Sequence, residues 1–262
     1  MIPVLSWLLR RGQQVGLPLL LALNPVLPAS GQTLRVVTEE YPPYNYTENG
    51  RLTGLSTEII QAALAAVQLQ GQFQSLPWAR AYDIAQNSEN VLIYTIVRTP
   101  HREALFKWVA PLAPMRRYLF SWAQRPISLQ HLDDAKHYQI GTVNEDVGEQ
   151  FLVAQGFAKG RNLQSSAQYA FNYEKLKLGR IDLWVIDERV AHYLARQAGD
   201  DPLQVLSKSY PLPELEGEHY MAFGKQTPDA LVERVRQGLE RIKHNGVLDS
   251  IQKKWGLHAS DQ

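Results

Sequence analysis

The alternation of β-branched strand segments with amphipathic helical segments constrains the fold of this 262-residue chain more than any other feature. Residues 33–38 (TLRVVT) and 91–97 (VLIYTIV) are typical of buried strands, and residues 55–69 carry apolar side chains at helical spacing. Another strand is predicted at 72–76, which gives the order strand, helix, strand, helix, strand up to residue 97. This order predicts an α/β fold with a largely parallel sheet.

A second series of strands and helices is predicted between about residues 118 and 217. Its strands fall at 115–123, 138–143 and 181–186, and helices follow the last two of them. Asp146 is predicted to cap the first of these helices, because its carboxylate can accept from the free N–H groups there. The series therefore repeats the α/β order of the first part of the chain.

Two short segments, 111–114 and 211–217, separate these regions. Neither has the low-complexity composition of a flexible linker, and two short, stiff crossings suit a hinge between compact lobes. We expect one lobe to combine residues 32–117 with residues 218–262, and the second lobe to span residues 118–217.

The N-terminal 31 residues have the pattern of a secretory signal peptide. Arg10 and Arg11 precede an apolar run at 15–27, and small residues follow it. The alternative is an N-terminal membrane anchor, but the run is shorter than the ~20 residues that a span needs. The chain has no cysteine, which excludes disulfides and lipidation at a cysteine and fits a bacterial periplasm.

Charge and motif content exclude several classes of function. Without Arg10 and Arg11, 25 of the 27 basic residues remain against 26 acidic ones, a net charge of −1. This balance argues against a nucleic-acid partner, for which a basic face is expected. The chain has no paired-histidine metal motif, phosphate-binding loop, dinucleotide fingerprint or nucleophile elbow. We therefore expect no cofactor, no metal and no catalytic residue.

The stretch at 95–111 (TIVRTPHREALFKWVAP) carries the clearest functional signal. Thr99 is predicted to cap a helix, with Pro100 at its first position. Arg98 and Arg102 would then flank a strand end and a helix N-terminus, where guanidinium and backbone N–H groups converge on a small anion. The alternative is that both arginines are solvated surface residues.

Six motifs, in this order, resemble those of periplasmic solute-binding proteins of family 3, which serve polar amino-acid ABC importers. They are YPPY at 41–44, GRLTGLSTEII at 50–60, PWAR at 77–80, RTPHRE with FKWVAP at 98–111, KLKLGRIDLWVID at 175–187 and GLERIKHNGVLDSIQKKWG at 238–256. The resemblance covers most of the chain and implies a two-lobed α/β fold of the periplasmic-binding-protein type II, with a ligand cleft between the lobes. It also implies a monomer whose partners are a small polar ligand and an inner-membrane ABC permease.

The resemblance further implies roles for individual residues. Tyr41 and Trp78 are similar to the aromatic residues that cover the ligand, although Trp78 also fits ordinary core packing. Arg102, in the TxxR motif, resembles the arginine that holds the ligand carboxylate, and Asp187 the acid that meets its amino group. Asp187 also fits a helix cap, and the two roles are compatible. The full set of expected ligand-binding residues is Tyr41, Trp78, Arg80, Thr95, Arg98, Arg102, Asp187 and Glu40.

Departures from the family pattern leave the ligand open. Glu145 and Asp146 stand where the family usually presents small neutral residues, and they would repel a ligand carboxylate unless they point away or cap a helix. Val97 replaces an expected hydroxyl residue, while Arg80 and Arg98 add charge. An amino acid, another carboxylate or an amine all remain possible ligands.

Two further functions compete with solute binding by hinge closure. One is an enzyme on the same fold, similar to cyclohexadienyl dehydratases, with Glu39 or Glu40 as general acid or base. These two residues are adjacent on an extended segment, so at most one should face the cleft, and a solvated loop pair is the alternative. The other is a sensory protein that presents its ligand to a separate receptor, since we expect no fused enzymatic domain after Gln262.

Overall fold

The computed structural model describes residues 33–257, so the predicted signal peptide lies outside the described residues. The strands are Thr33–Thr38 (β1), Tyr46–Glu48 (β2), Arg51–Thr53 (β3), Gln70–Ser75 (β4), Val91–Val97 (β5), Phe106–Met115 (β6), Arg117–Trp122 (β7), Ile140–Val143 (β8), Leu163–Ser166 (β9), Leu183–Asp187 (β10), Leu206–Pro211 (β11) and Gly217–Gly224 (β12). The α-helices are Leu55–Ala66 (α1), Trp78–Asn87 (α2), Val147–Ala154 (α3), Tyr169–Lys177 (α4), Glu188–Gln197 (α5), Pro202–Val205 (α6), Asp229–His244 (α7) and Val247–Lys254 (α8). Between residues 33 and 257, no helix combines the length and the hydropathy that a membrane crossing needs.

Two five-stranded mixed sheets form the framework. The first has the order β4-β1-β5-β12-β6, in which β1 runs parallel to β4 and β5, and β12 runs antiparallel to β5 and β6. The second has the order β11-β7-β10-β8-β9, in which β8 runs parallel to β9 and β10, and β7 runs antiparallel to β10 and β11. Helices α1, α2 and α7 pack against the first sheet, α8 packs against α1 and α7, and α3 to α6 pack with the second sheet. The two-lobed α/β fold predicted from the sequence is confirmed.

The chain crosses between the two sheets at two adjacent points. Only Arg116 separates β6 from β7, and residues 212–216 separate β11 from β12. The crossings lie side by side, because Gly217 pairs with Met115 and Leu212 N donates to Arg117 O at 3.0 Å. The first sheet thus uses residues 33–115 and 217–224, and the second uses residues 117–211. The finer lobe boundaries given above stay a prediction.

The central strands are apolar on both faces. All seven residues of β5 and all five of β10 are buried, as expected for strands covered by helices on both sides. In the first lobe, α1 packs closely against α7 at Gly238, where a Cβ atom would collide with the carbonyl oxygen of Ala63. Glycine is required there because the two helix backbones approach so closely.

The helix predicted to start at Thr99 is wrong. The chain turns after β5, forms a short 3₁₀ helix at Glu103–Leu105 and enters β6 at Phe106. The chain has only eight residues between β5 and β6, both of which pair with β12, and this leaves no length for an α-helix. Strand β6 was hidden in the sequence by Pro111 and Pro114, which it tolerates because it is an edge strand.

A second 3₁₀ helix lies at Leu132–His137. At the start of α7, Thr227 makes a tertiary contact and not a helix cap, because its Oγ1 accepts a hydrogen bond from Asn90 N at 3.0 Å.

Candidate functional site

Buried polar side chains gather where the two lobes face each other. Most of them follow the carboxyl ends of parallel strands, the edge at which open α/β sheets place ligand contacts. Trp78 Nε1 donates to Glu145 O at 2.8 Å, and Tyr44 Oη donates to Asp187 Oδ1 at 3.4 Å, so both contacts join the lobes. We call the buried residues at this boundary the interlobe cluster: Glu39, Tyr41, Trp78, Arg102, Arg117, Asp146, Tyr169, Asp187 and His219.

Arg102 is fully buried in this cluster. Its guanidinium donates to Val97 O and Glu145 O, both at 3.3 Å, and to Gln150 Oε1 at 3.0 Å. None of these partners is a carboxylate, and Nε has no partner within the described part of the chain. Burial lowers the pKa of the Arg102 guanidinium. A buried cation with only neutral partners is costly, so its surroundings favour an incoming anion.

Aromatic rings surround the same guanidinium. Its Cζ lies 5.4 Å from the ring centre of Trp78 and 5.0 Å from that of Tyr82. These distances allow cation–π attraction, which partly offsets the loss of hydration. Glu145 O accepts from both Trp78 and Arg102, and Glu145 itself has a φ of 61° in the loop between β8 and α3. This loop therefore binds the first lobe through a backbone carbonyl.

Arg117 and Asp146 form a buried ion pair on the second-lobe side. Arg117 Nη1 lies 3.0 Å from Asp146 Oδ2, and the same carboxylate accepts from Gly148 N as the cap of α3. Burial alone would lower the pKa of Arg117, but the Asp146 carboxylate beside it raises that pKa well above its ordinary value. The Arg117 guanidinium also lies 5.9 Å from the ring centre of Tyr41, across the lobe boundary.

The two acids that depart from the family pattern are each paired with a basic residue. Asp146 is neutralised by Arg117 and used as a helix cap, as the predicted cap at this position requires. The Glu145 side chain is half exposed and lies 3.4 Å from Lys159 Nζ, whereas its backbone carbonyl accepts from Arg102 in the cluster.

Of the adjacent pair Glu39 and Glu40, one faces the cluster. Glu39 is buried, and its pKa is raised well above the ordinary value by burial and by Asp146, against the influence of Arg117 and Arg102. Glu40 instead accepts hydrogen bonds from the backbone and hydroxyl of Thr47, both at 2.8 Å, and from Ser75. The sequence prediction chose Glu40, because an extended segment shows that neighbours alternate but not which one points inward.

Asp187 is both a helix cap and a member of the cluster. Its Oδ1 accepts from Arg189 N at 2.9 Å and Val190 N at 3.2 Å, and its Oδ2 accepts from Arg116 N at 3.3 Å. Burial raises the pKa of Asp187 to about 6, although Arg117 and the backbone N–H groups act in the opposite direction. The carboxylate borders a cavity of about 270 Å³ that Tyr44 also lines.

Several buried polar atoms at the boundary have no partner within residues 33–257. They are Tyr41 Oη, Thr95 Oγ1, both ring nitrogens of His219, and Nε of Arg102 and Arg117. His219 makes edge contacts with Tyr44 and Tyr41, with ring centres 4.7 and 5.6 Å apart. Burial, and secondarily Arg117, lower the pKa of His219 well below its ordinary value, which keeps the ring neutral. Buried polar atoms are usually paired, so this concentration indicates a polar binding site.

Thr95 adds backbone strain to this region. It is buried in β5 with a φ of 60°, at the point where the pairing of β5 with β12 shifts register. A β-branched residue rarely adopts this conformation, and strain of this kind is concentrated at ligand sites.

The structure brings only part of the predicted site together. Tyr41, Trp78, Arg102 and Asp187 belong to the cluster and Thr95 is buried in β5, whereas Arg80, Arg98 and Glu40 lie outside the cluster. Arg98 is exposed, pairs with Glu103 at 2.6 Å, and lies over the rings of Trp108 and Tyr220. The two arginines of RTPHR therefore separate, one onto the surface and one into the core.

Sequence reasoning missed Arg117, Tyr169 and His219. Arg117 could have been noticed, because it lies in a predicted strand on the same face as the apolar Met115 and Leu119. Nothing in the local sequence distinguishes His219 from the other histidines, since its burial depends on β12 pairing with both β5 and β6. Among residues 33–257, no group of three or more His, Asp or Glu side chains is arranged to hold a metal ion.

Two α/β lobes that meet at a buried polar cluster beside the carboxyl ends of their strands are typical of the class of periplasmic-type binding proteins. The model of the bacterial extracellular solute-binding proteins, family 3, matches residues 34–258, and the chain belongs to that family. The recognition made from six sequence motifs is thereby confirmed.

Similar proteins include named binding proteins. The chain is 24% identical to the arginine-binding periplasmic protein of Mannheimia haemolytica over 239 residues, which cover 90% of this chain and 96% of the relative. It is 21% identical to the L-cystine-binding protein TcyJ of Escherichia coli (strain K12) over 223 residues, which cover 82% and 79% of the two chains.

Solved structures share the fold at low identity. A histidine kinase sensor domain with similarity to periplasmic binding proteins has a TM-score of 0.77 at 18% identity, covering 86% of this chain and 96% of the other. An ancestral arginine-binding protein bound to arginine has a TM-score of 0.73 at 23% identity, covering 86% and 98%. The named curated relatives are binding proteins.

Proposed function

We propose that this protein captures a small polar solute with a carboxylate group, by closure of the two lobes, and delivers it to an inner-membrane ABC permease. One observation carries the proposal: Arg102 is a fully buried cation whose partners in the described chain are all neutral. A ligand carboxylate would supply the missing charge and could accept two parallel hydrogen bonds from the guanidinium.

The contacts between the lobes support closure around the ligand. Arg102 of the first lobe reaches Glu145 O and Gln150 of the second, and Tyr44 reaches Asp187. The two adjacent crossings provide a hinge in which a few residues absorb the motion. A ligand bound by both sides would stabilise the closed form, because it adds contacts that the open form lacks.

We also propose that the protein acts in the periplasm. We expect cleavage of the signal peptide near residue 31 and a monomeric, non-lipidated protein in the periplasm. The periplasmic names of the relatives and the pattern of the first 31 residues support this location.

Thermal unfolding of the purified protein against a panel of amino acids, polyamines and small organic acids tests the function. We expect a rise in the midpoint for a carboxylate-containing ligand, because a ligand at 100 times its Kd stabilises by about 2.7 kcal/mol. Arg102→Met should abolish this rise and leave the ligand-free midpoint nearly unchanged, since removing an unpaired buried charge offsets the lost hydrogen bonds.

Arg98→Ala is the matched control, since Arg98 is exposed and pairs with Glu103 outside the cluster. It should bind like the wild type. Panel compounds should also be recovered and analysed, because the buried Glu39 carboxyl with its raised pKa is a feature that favours an acid–base enzyme. Chemical conversion of a cyclic acid, or no shift with any compound, would overturn the binding proposal.

A further inference from the structure

The chain places a cation of its own in the cleft. The Arg117 and Asp146 side chains are only 2% and 6% exposed, and the guanidinium is paired with the carboxylate at 3.0 Å. On another side the guanidinium faces the Tyr41 ring at 5.9 Å. An aromatic ring together with a carboxylate is the setting that holds a guanidinium or ammonium group. Arg117 therefore uses the contacts that a cationic ligand side chain would need.

A second buried guanidinium makes the cleft still less suited to a cation. Arg102 lies in the same cluster, and the charge of Arg117 acts on it to lower its pKa further. A cationic ligand side chain would be the third positive group in a desolvated site. Two like charges about 6 Å apart at a partly buried site repel each other enough to lower affinity on the order of 100-fold.

The ionised groups of the cluster balance without a ligand side-chain charge. Arg102 and Arg117 are two basic groups, and the acidic groups beside them are Asp146, which forms the ion pair with Arg117, and Asp187. Burial raises the pKa of Glu39, which favours a neutral carboxyl group. A ligand with one carboxylate and one ammonium group keeps this balance, whereas an additional charge of either sign disturbs it.

The buried polar atoms that lack hydrogen-bond partners are chemically suited to an uncharged ligand side chain. Tyr41 Oη, Thr95 Oγ1 and the two ring nitrogens of His219 are uncharged hydrogen-bonding groups that are buried and have no partner in the described structure. They can bind an uncharged polar side chain and offer no compensation to a charged one.

We propose that the ligand is a zwitterionic amino acid with an uncharged, polar side chain, and that Arg117 is the residue that excludes cationic amino acids. This inference rests on the proposed function and specifies the ligand class of the same site. It separates this chain from its arginine-binding relatives, since here the chain itself supplies the guanidinium group.

Calorimetric titration of the purified protein with glutamine, asparagine, arginine, lysine and glutamate tests the ligand class. We expect an uncharged-side-chain amino acid to bind at least 100-fold more tightly than arginine or lysine, and more tightly than glutamate. Tightest binding of arginine, lysine or glutamate would overturn the inference and leave the binding function in place. Absence of binding by all five, together with no thermal shift across the wider panel, would overturn both.

Two variants test the role of Arg117. Arg117→Met leaves the Asp146 carboxylate free and should raise the affinity for arginine relative to glutamine at least 10-fold. Arg117→Met combined with Asp146→Asn removes both charges and should return this ratio towards the wild-type value. An unchanged ratio in the single variant would refute the exclusion role. If that variant does not fold, the titration of the wild-type protein still decides the ligand class.

Discussion

At the scale of single residues, His219 has the clearest pH-dependent consequence. Its ring is buried between Tyr41 and Tyr44 near Arg117, and its pKa lies well below the ordinary value of 6.5. The unfolded chain therefore binds a proton that the folded protein does not, as pH falls through about 6.5. The stability that neutral His219 allows is fully present above this pH and is lost below it.

We predict that His219→Gln reduces the acid sensitivity of the protein. Wild-type stability should fall by about 1–2 kcal/mol more than that of the variant between pH 7.5 and pH 5. The raised pKa values of Glu39 and Asp187 act in the opposite direction, because protonation of these groups favours the folded state. Comparing urea unfolding of both proteins at the two pH values cancels this contribution. Parallel losses would show that His219 does not titrate as described.

The residue scale also shows how far the sequence could predict the site. Arg102 and Asp187 could be predicted as site residues, because each lies at a motif position at or shortly after the end of a recognisable strand. The inward orientation of Glu39 could not be predicted, because it depends on the path of the chain after β1. The separation of Arg98 from Arg102 could not be predicted either, because the backbone turn after β5 decides it. Local patterns predict which residue types are available, and tertiary packing decides which of them face the cleft.

At the scale of elements, the turn from β8 to α3 depends on Glu149. The buried Glu149 carboxylate accepts from Glu145 N at 3.0 Å and from Thr142 Oγ1 at 2.7 Å, and it also bonds Ser165. Lys159 Nζ lies 2.6 Å from it. Burial opposes ionisation, but the bonds from Lys159, Ser165 and Thr142 keep the pKa of Glu149 below its ordinary value. The contribution of this carboxylate to stability is therefore present above about pH 4.5 and lost below it.

We predict that Glu149→Gln lowers the free energy of unfolding by about 1–3 kcal/mol at pH 7, because it leaves donors around the carboxylate poorly paired. Ligand affinity should also fall, since the turn presents Glu145 O to Trp78 and Arg102. Urea unfolding and calorimetry measure the two effects. Glu145→Gln is the control, because its half-exposed carboxylate is 3.4 Å from Lys159, and it should change stability by less than about 0.5 kcal/mol. Equal effects of the two variants would contradict this role for Glu149.

Individual strands and helices differ in how well the sequence predicts them. Strongly apolar strands such as β5 and β10 and the amphipathic helix α1 could be predicted because burial sets their period. Strand β6 could not, because its prolines are compatible with a strand only at a sheet edge, and edge position depends on the whole sheet order.

At the scale of the whole molecule, Trp78 links the lobes through a single directed hydrogen bond. We predict that Trp78→Phe, which keeps a ring but removes the N–H group, shifts the ligand-free protein towards an open form. Loss of about 1 kcal/mol changes the ratio of open to closed molecules by about five-fold. The radius of gyration from small-angle X-ray scattering should increase without ligand and decrease again at saturation.

Trp108→Phe is the matched control, because the Trp108 indole donates to Glu103 O within the first lobe. It should leave the radius of gyration unchanged. Identical scattering from both variants would show that the bond from Trp78 to Glu145 does not hold the lobes together.

The sheet order has a consequence for how the chain acquires its structure. Strand β12 lies between β5 and β6, yet it is made of residues 217–224, after the whole second sheet. As a chain emerges with its N-terminus first, β6 therefore has no neighbour to pair with until the last strand arrives, whereas residues 117–211 already contain a complete sheet. Pairing over such a long separation is slow and leaves strand edges uncovered in the meantime. The second lobe can thus finish folding first, and the first lobe closes around a strand supplied at the end of synthesis.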